Sequence, residues 1–241
     1  MNVEIIAHRG YSAIAPENTL SAFSEAMKNG AHSVEFDVQL SADGVPVVIH
    51  DRTLDRIASR PDKITDLTVK ELKSIDIGSW FGEEFNRERI LTLEETLTVL
   101  KALERNVYLD IKIYDTWTEE ELDRFAKQVC KIVVEEGWDD RCFVTSFISE
   151  FVTCFRRHCR DIGVGYIVGN AESFQTQLQN AIADGNAVIS SEYRVLLDNP
   201  QLLRSSRENN IDVVAWTIDD RTHWQKLVDL GIDRLVTNSL L

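Results

Sequence analysis

Residues 33–51 read SVEFDVQLSADGVPVVIHD, with alternating apolar residues on either side of Asp43-Gly44. Such alternation is typical of β-strands, and Asp-Gly between two alternating runs is a strong hairpin signal. The connection is too short for a parallel crossover, so the two runs are predicted to pair antiparallel. A turn centred on Asp43-Gly44 places Asp37 opposite His50, give or take a slip in register.

Outward from this hairpin, short β-branched runs alternate with amphipathic helical patterns. The predicted strands are Val3–Ala7, Ser33–Val38, Val107–Ile113, Cys142–Ser146, Gly163–Val168, Ala187–Ser190, Asp212–Thr217 and Asp233–Thr237. Helices are predicted at 19–29, 93–104, 118–136, 149–159, 173–183, 200–209 and 221–230. Eight strands separated by helices in 241 residues favour an α/β fold, a closed (β/α)₈ TIM barrel. An open doubly wound sheet is the alternative, although no GxGxxG follows the first strand.

One segment interrupts this alternation between the hairpin and the helix at Leu93. It contains a short helical pattern at Leu67–Ser74 and the aromatic segment SWFGEEF at 79–85. We expect the second strand to extend out of the barrel and fold back, with the rest lying over one end of the barrel. The chain is therefore predicted to form one domain, residues 1–241, with an inserted subdomain at 51–92.

Charge and cysteine content limit the class of protein. The net charge of −14 argues against nucleic acid and anionic membranes as partners, although a local cation cluster could still bind a small anion. No apolar run is long enough to span a membrane, and no signal peptide is visible. The cysteines form no CxxC pair, so we expect reduced thiols in a cytoplasmic protein; they are Cys130, Cys142, Cys154 and Cys159.

Polar residues stand at the ends of the predicted strands, where the active sites of barrels lie. They are His8 and Arg9 on the first strand, Glu35 and Asp37 on one face of the second, His50 on the hairpin, Asp110 and Lys112 on the third, and Trp216 on the seventh. Each taken alone has an ordinary structural explanation. Together they would bury many charges in a barrel interior, which is costly without a function.

These residue types suggest a specific chemistry. Three converging carboxylates repel one another unless a divalent cation neutralises them, and oxygen ligands favour Mg²⁺ or Ca²⁺, with Mn²⁺ as a third option. Arg9 and Lys112 beside that cation would bind a phosphate. His8 and His50 could serve as base and acid near neutral pH. The pattern therefore indicates metal-assisted cleavage of a phosphodiester, and the remaining histidines are interpreted as incidental: His32, His158 and His223.

Residues 7–51 closely resemble the signature of the glycerophosphodiester phosphodiesterase family. His-Arg-Gly, Pro-Glu-Asn-Thr, Glu-x-Asp-Val, Asp-Gly and His-Asp occur in that order and at normal spacing. A weaker resemblance continues through LDRIAS, TLEETL, YLDIK, TSF, VVAWTI and GIDRLVT, so it covers essentially the whole chain.

The resemblance implies a TIM barrel with a small insertion after the second strand. It also implies metal-dependent hydrolysis of small glycerophosphodiesters to sn-glycerol 3-phosphate and an alcohol. As partners we expect no nucleic acid and no membrane span, and a homodimer is left open. By position, His8 and His50 match the acid–base pair. Substrate-binding roles fall on Arg9, Lys112 and Trp216, one divalent cation is assigned to Glu35, Asp37 and Asp110, and supporting roles fall on Glu17 and Asn18. Asn18 or Thr19 could equally cap the following helix.

The chain departs from the family pattern at three positions. Asp110 stands where the family usually has Glu, Asp219 where it often has Asn, and Asn238 where it commonly has Asp. Two alternatives are left open: a phosphodiesterase acting on lysophospholipids or on cyclic or sphingosyl esters, and a barrel that only binds a phosphorylated ligand, for which Asp110 and Asn238 are the support. In the first, the aromatic segment would contact an acyl chain, although a hydrophobic plug between insertion and barrel is the favoured interpretation.

Overall fold

The computed structural model describes residues 3–240, which contain one ten-stranded sheet closed through pairing of its first two barrel strands. The strands are β1 (Glu4–His8), β2 (Ser33–Leu40), β3 (Pro46–Val48), β4 (Leu91–Thr92), β5 (Val107–Ile111), β6 (Cys142–Ser146), β7 (Gly163–Val168), β8 (Ala187–Glu192), β9 (Asp212–Trp216) and β10 (Arg234–Thr237). β1 pairs in parallel with both β2 and β10, so eight parallel strands form a closed barrel. The predicted TIM barrel is confirmed.

Helices cover the outside of the barrel between its strands, and two short helices, α2 and α3, lie in the insertion. They are α1 (Leu20–Lys28), α2 (Asp55–Ala58), α3 (Val69–Leu72), α4 (Leu93–Val99), α5 (Glu119–Glu135), α6 (Ser149–His158), α7 (Ala171–Asp184), α8 (Tyr193–Asp198), α9 (Gln201–Glu208) and α10 (Arg221–Asp229). Reciprocal capping boxes begin three of them, at Thr68, Thr92 and Thr118. The sequence analysis missed α2 and α8, which are too short to show a helical period.

The hairpin of β2 and β3 has a register one residue away from the predicted one. Val38 pairs with Val48, and the amide of Ile49 donates to the carbonyl of Asp37 at 3.0 Å, so Asp37 faces Ile49 rather than His50. The amide of Ser41 donates to the carbonyl of Val45 at 3.0 Å, so the loop between them has three residues, 42–44, and Gly44 has φ of 76°. This pattern of a turn followed by a left-handed glycine is the usual three-residue hairpin connection.

The segment between β3 and α4 has a small hydrophobic core of its own. Leu54, Ile64, Leu72 and Ile90 lie in it together with Val47 of the hairpin, apart from the main core between barrel and helices. The insertion after the second strand is therefore as expected. Its definition as a subdomain with bounds 51–92 stays a prediction, since hairpin residues share its core.

The cysteines do not all remain thiols, and that prediction is wrong for one pair. Cys130 of α5 and Cys159, which follows α6, form a disulfide that connects two neighbouring helices. Cys142 and Cys154 are free and buried, as expected. Spacing could not reveal the pair, because its partners meet only when the two helices pack. Within residues 3–240, no helix is both long and apolar enough to cross a membrane.

Candidate active site

A cavity of about 240 Å³ opens at the carboxyl ends of the barrel strands. The predicted site residues come together here, and those that line the cavity are His8, Arg9, Glu35, His50, Asp110, Lys112 and Trp216. Asp37 is almost fully buried and contacts both Arg9 and Lys112. None of the other three histidines, all of them in the described part of the chain, lines this cavity.

Strand register brings the carboxylates together. His8 of β1 pairs with Glu35 of β2, while Asp37 of β2 pairs with Asp110 of β5. Residues two apart on a strand share a face, so Glu35 and Asp37 both point to the mouth of the barrel. One oxygen from each of Glu35, Asp37 and Asp110 lies within 4.8 Å of the others.

Two cations lie against this acidic cluster. Lys112 Nζ is 2.6 Å from Asp110 Oδ2 and 3.2 Å from Asp37 Oδ1, and Arg9 Nε is 3.2 Å from Asp37 Oδ2. Burial alone would raise the pKa of Asp37, but Lys112 and Arg9 outweigh it and hold that pKa below its usual range. Asp37 is therefore the carboxylate of the cluster that is ionised under all ordinary conditions.

Glu35 has the opposite electrostatic environment. Burial, together with the negative charges of Asp37 and Asp110, holds the pKa of Glu35 well above its usual range. The pKa of Asp110 is also raised, chiefly by burial. The cluster thus carries more negative charge than Arg9 and Lys112 can balance when all its members ionise.

The donor atoms fit a divalent cation. Asp110 Oδ1 is buried and has no hydrogen-bond partner among the described residues. A buried carboxylate oxygen without a partner is costly unless a ligand occupies its lone pairs. The cluster offers only oxygen atoms, the ligands that Mg²⁺, Ca²⁺ and Mn²⁺ prefer.

A tight reversal after β1 positions Arg9. The backbone is left-handed at Arg9 and Gly10, with φ of 56° and 80°. The amide of Arg9 donates to the carbonyl of Glu35 at 2.8 Å, and its guanidinium donates to Glu17 Oε1 at 2.8 Å. A Cβ atom on Gly10 would lie 2.6 Å from the carbonyl carbon of Ala22 in α1, so only glycine fits there.

Asn18 and Thr19 have different roles, one in the site and one as the cap of α1, between which the sequence could not decide. The side chain of Thr19 caps α1 by accepting from the amide of Ala22. Asn18 instead donates its Nδ2 to Asp37 Oδ2 at 2.8 Å and lies at φ of 59°. Asn18 therefore orients a carboxylate of the acidic cluster.

His50 is held by a chain of charged groups. Its Nδ1 lies 2.7 Å from Asp51 Oδ1, and Arg56 Nε donates to Asp51 Oδ2 at 2.6 Å. Both terminal nitrogens of Arg56 donate to Glu17, which also holds Arg9. The sequence analysis missed Arg56, although LDRIAS contains it, because a single arginine in an insertion has no recognisable spacing.

His8 has a different partner. Its Nδ1 lies 2.6 Å from Asn238 Oδ1, and its Nε2 faces the cluster, 3.8 Å from Glu35 Oε2. Burial and the neighbouring Arg9 lower the pKa of His8 to about 4. His8 is therefore neutral near neutral pH. Asn238 was noted in the sequence only as a departure from the family pattern, since its contact with His8 joins the two ends of the chain.

An aromatic wall completes the cavity. Phe147 and Trp216 meet edge to face, with ring centroids 6.1 Å apart, and the Lys112 ammonium lies over the Phe147 ring. The sequence analysis missed Phe147, although it directly follows β6. Trp80 and Phe81 of the insertion do not line the cavity; they pack on each other and remain partly exposed.

Comparison with known proteins identifies the family. The sequence profile of the glycerophosphoryl diester phosphodiesterase family matches residues 8–241. The chain belongs to this family. A glycerophosphodiester phosphodiesterase of Caldanaerobacter subterraneus subsp. tengcongensis is 30% identical over 243 residues, covering 99% of this chain and 95% of that protein. One from Arabidopsis thaliana is 31% identical over 235 residues, covering 97% of this chain and 70% of that protein.

A solved structure of the family shares the architecture. The Oleispira antarctica phosphodiesterase in complex with the product sn-glycerol-3-phosphate superposes with a TM-score of 0.85 at 28% identity. The match covers 98% of this chain and 92% of that one. The resemblance recognised in the sequence, and with it the enzyme class, is thereby confirmed.

Proposed function

We propose that this enzyme hydrolyses glycerophosphodiesters to sn-glycerol 3-phosphate and an alcohol, using one divalent cation and the pair His8 and His50. The observation that carries the proposal is the meeting of two histidines, two cations and three carboxylates in one cavity. The glycerol 3-phosphate bound to the Oleispira antarctica relative supports the product assignment.

The residues divide the work by their chemistry. Glu35, Asp37 and Asp110 would hold the cation, which supplies Lewis-acid polarisation of the non-bridging phosphate oxygens when bound. Arg9 and Lys112 bind those oxygens and neutralise charge that develops in the transition state. Trp216 supports the organic part of the substrate.

Two proton transfers complete the reaction. One histidine takes a proton from the nucleophile, and the other donates a proton to the leaving alkoxide. The nucleophile is either water or the glycerol 2-hydroxyl, which would give a cyclic phosphate before hydrolysis. Detection of that cyclic phosphate in a rapid quench separates the two routes.

The test is turnover of glycerophosphocholine with Mg²⁺, Ca²⁺ and Mn²⁺, measured as release of glycerol 3-phosphate. We expect His8→Ala and His50→Ala each to lower kcat by about 10²–10⁴-fold, the usual share of general acid–base catalysis. His158→Ala is the matched control, because His158 lies outside the cavity. Near wild-type turnover in either site variant would overturn the role of that histidine.

Two other outcomes bear on the alternatives. Faster turnover of a lysophospholipid than of glycerophosphocholine would favour the lipid substrate. Absence of activity with every metal, together with thermal stabilisation by glycerol 3-phosphate, would favour a binding protein instead. The cytoplasmic location and a homodimeric state stay predictions.

A further inference from the structure

Asn238 is held in one orientation by Asp219. Asn238 Nδ2 donates to Asp219 Oδ2 at 2.6 Å, and Asp219 Oδ1 accepts from the amides of Asn238 and Ser239 at 2.8 and 3.2 Å. A carboxylate only accepts hydrogen bonds, so the amide nitrogen of Asn238 must face Asp219. The amide oxygen of Asn238 is then left to face His8.

This orientation fixes the proton on His8. Asn238 Oδ1 can only accept, and it lies 2.6 Å from His8 Nδ1, so Nδ1 of the neutral imidazole carries the proton. Nε2 is then the unprotonated nitrogen, and it is the atom that faces Glu35 and the cavity. Ser12 Oγ also lies 2.9 Å from Asn238 Oδ1 and holds the same oxygen in place.

We propose that Asn238 and Asp219 act as a pair of positioning residues that present His8 to the substrate with Nε2 free, and so make it the base of the reaction. The inference rests on the proposed function and deepens it by assigning one of the two proton transfers. His50 then supplies the proton to the leaving alkoxide. Its Nδ1 lies 2.7 Å from Asp51 Oδ1, a contact that holds the imidazole ring in place.

The pair also gives a physical reason for two departures from the family pattern. Relative to the pattern that the resemblance implies, amide and carboxylate are exchanged together at positions 219 and 238, which preserves one donor and one acceptor between the two side chains. A single exchange breaks this complementarity. In Asp219→Asn, the new side-chain oxygen still accepts hydrogen bonds from the backbone amides, and the new side-chain nitrogen faces Asn238. The Asn238 side chain must then turn its own nitrogen towards His8, which moves the His8 proton to Nε2.

The experiment combines kinetics with ¹⁵N NMR of the histidine rings. The His8 signals are identified as those that disappear in His8→Ala. In the wild type, without added metal and at neutral pH, we expect the Nδ1-protonated form of His8. Asp219→Asn should shift the population to Nε2–H and lower kcat by about 10²-fold with little change in KM, because the base is lost. The double variant Asp219→Asn with Asn238→Asp should recover kcat to within about tenfold, a non-additive result.

Asp229→Asn is the matched control, since it makes the same exchange on an exposed residue of α10. If Asp219→Asn fails to fold, Asn238→Ala takes its place, and a mixture of His8 tautomers is expected. An Nε2–H form in the wild type overturns the proposal, as does unchanged kcat in Asp219→Asn. A wild type without turnover would instead contradict the proposed function, while the NMR measurement would still test the positioning.

Discussion

At the scale of single residues, Glu35 couples the acidic cluster to pH. Its raised pKa means that Glu35 holds a proton in the metal-free protein at pH values where a free glutamate is ionised. A cation bound by Glu35 must displace that proton, so metal binding and deprotonation are linked. Affinity therefore rises with pH until the pKa of Glu35 is passed, and is constant above it.

We predict that metal affinity increases by about tenfold per pH unit between the raised pKa of Asp110 and the higher pKa of Glu35, the slope for release of the Glu35 proton alone. Isothermal titration calorimetry in buffers of different ionisation enthalpy measures both affinity and protons released. Glu35→Gln should flatten the slope, whereas Glu94→Gln, an exposed glutamate of α4, should leave it unchanged. Affinity that does not vary with pH would contradict the role of Glu35 as a ligand.

How far single residues could be predicted depends on whether their partners lie nearby in the sequence. Glu35 and Asp37, or Asp110 and Lys112, are two apart on one strand, so periodicity alone puts each pair on one face. The contacts of His8 with Asn238 and of Glu17 with Arg56 join distant segments. No local pattern encodes such contacts, which is why Arg56 and the contact of Asn238 with His8 were missed, while the central residues were predicted.

At the scale of elements, α1 packs directly against the reversal that follows β1. Gly10 contacts the backbone of Ala22 so closely that an added methyl group would force the two elements apart. Gly44, in the hairpin turn, has a similar φ of 76° but no atom near its missing Cβ. Substitutions at the two glycines therefore distinguish two contributions to stability. At Gly44 only the left-handed backbone is unfavourable, and at Gly10 steric overlap is added to it.

We predict that Gly44→Ala lowers the free energy of unfolding by about 1–2 kcal/mol, the cost of a left-handed residue with a side chain. Gly10→Ala should lower it by about 2–5 kcal/mol, because overpacking adds to the same backbone cost. Urea denaturation measures both values. Equal losses in the two variants would show that α1 yields without cost and would contradict the packing argument.

Elements were predicted well where period and caps agree, as in α5 with its capping box at Thr118. The hairpin register differs by one residue from the centred turn, within the slip that the prediction allowed, because Asp43-Gly44 fits both a two-residue turn and a turn followed by a left-handed glycine. The hydroxyl of Ser41 accepts from the amide of Val45 at 3.0 Å and favours the second form. A local side-chain hydrogen bond therefore stabilises the observed register.

At the scale of the whole molecule, the overall acidic charge opposes the two cations of the site, Arg9 and Lys112. A net charge of −14 repels anions at long range, while in the proposed mechanism Arg9 and Lys112 would attract phosphate at short range. Zwitterionic diesters such as glycerophosphocholine feel less of this repulsion than diesters that carry a net negative charge. The overall charge thus favours the zwitterionic members of the substrate class.

We predict that raising ionic strength from about 0.01 to 0.15 M increases kcat/KM for an anionic glycerophosphodiester, because the Debye length falls from about 30 to 8 Å. The zwitterionic glycerophosphocholine should change much less and serves as the internal control. Initial rates at low substrate concentration measure both. An equal response of the two substrates would show that the surface field does not affect their association.

The outer layer of the barrel contains one covalent connection, between Cys130 in α5 and Cys159 after α6. These cysteines are 29 residues apart, and closing a loop of that length restricts the unfolded chain, which stabilises the fold by about 2–4 kcal/mol. We predict that reductant lowers Tm by about 5–15 °C, since 1 kcal/mol corresponds to about 2–4 °C at this size. In the variant Cys130→Ser with Cys159→Ser, Tm should already be lowered and reductant should have no further effect.

Thiol titration of the denatured, unreduced protein should detect only Cys142 and Cys154. Four reactive thiols, or a Tm that reductant does not change, would instead favour the reduced cytoplasmic protein that cysteine spacing predicts, because disulfides persist mainly in oxidising compartments.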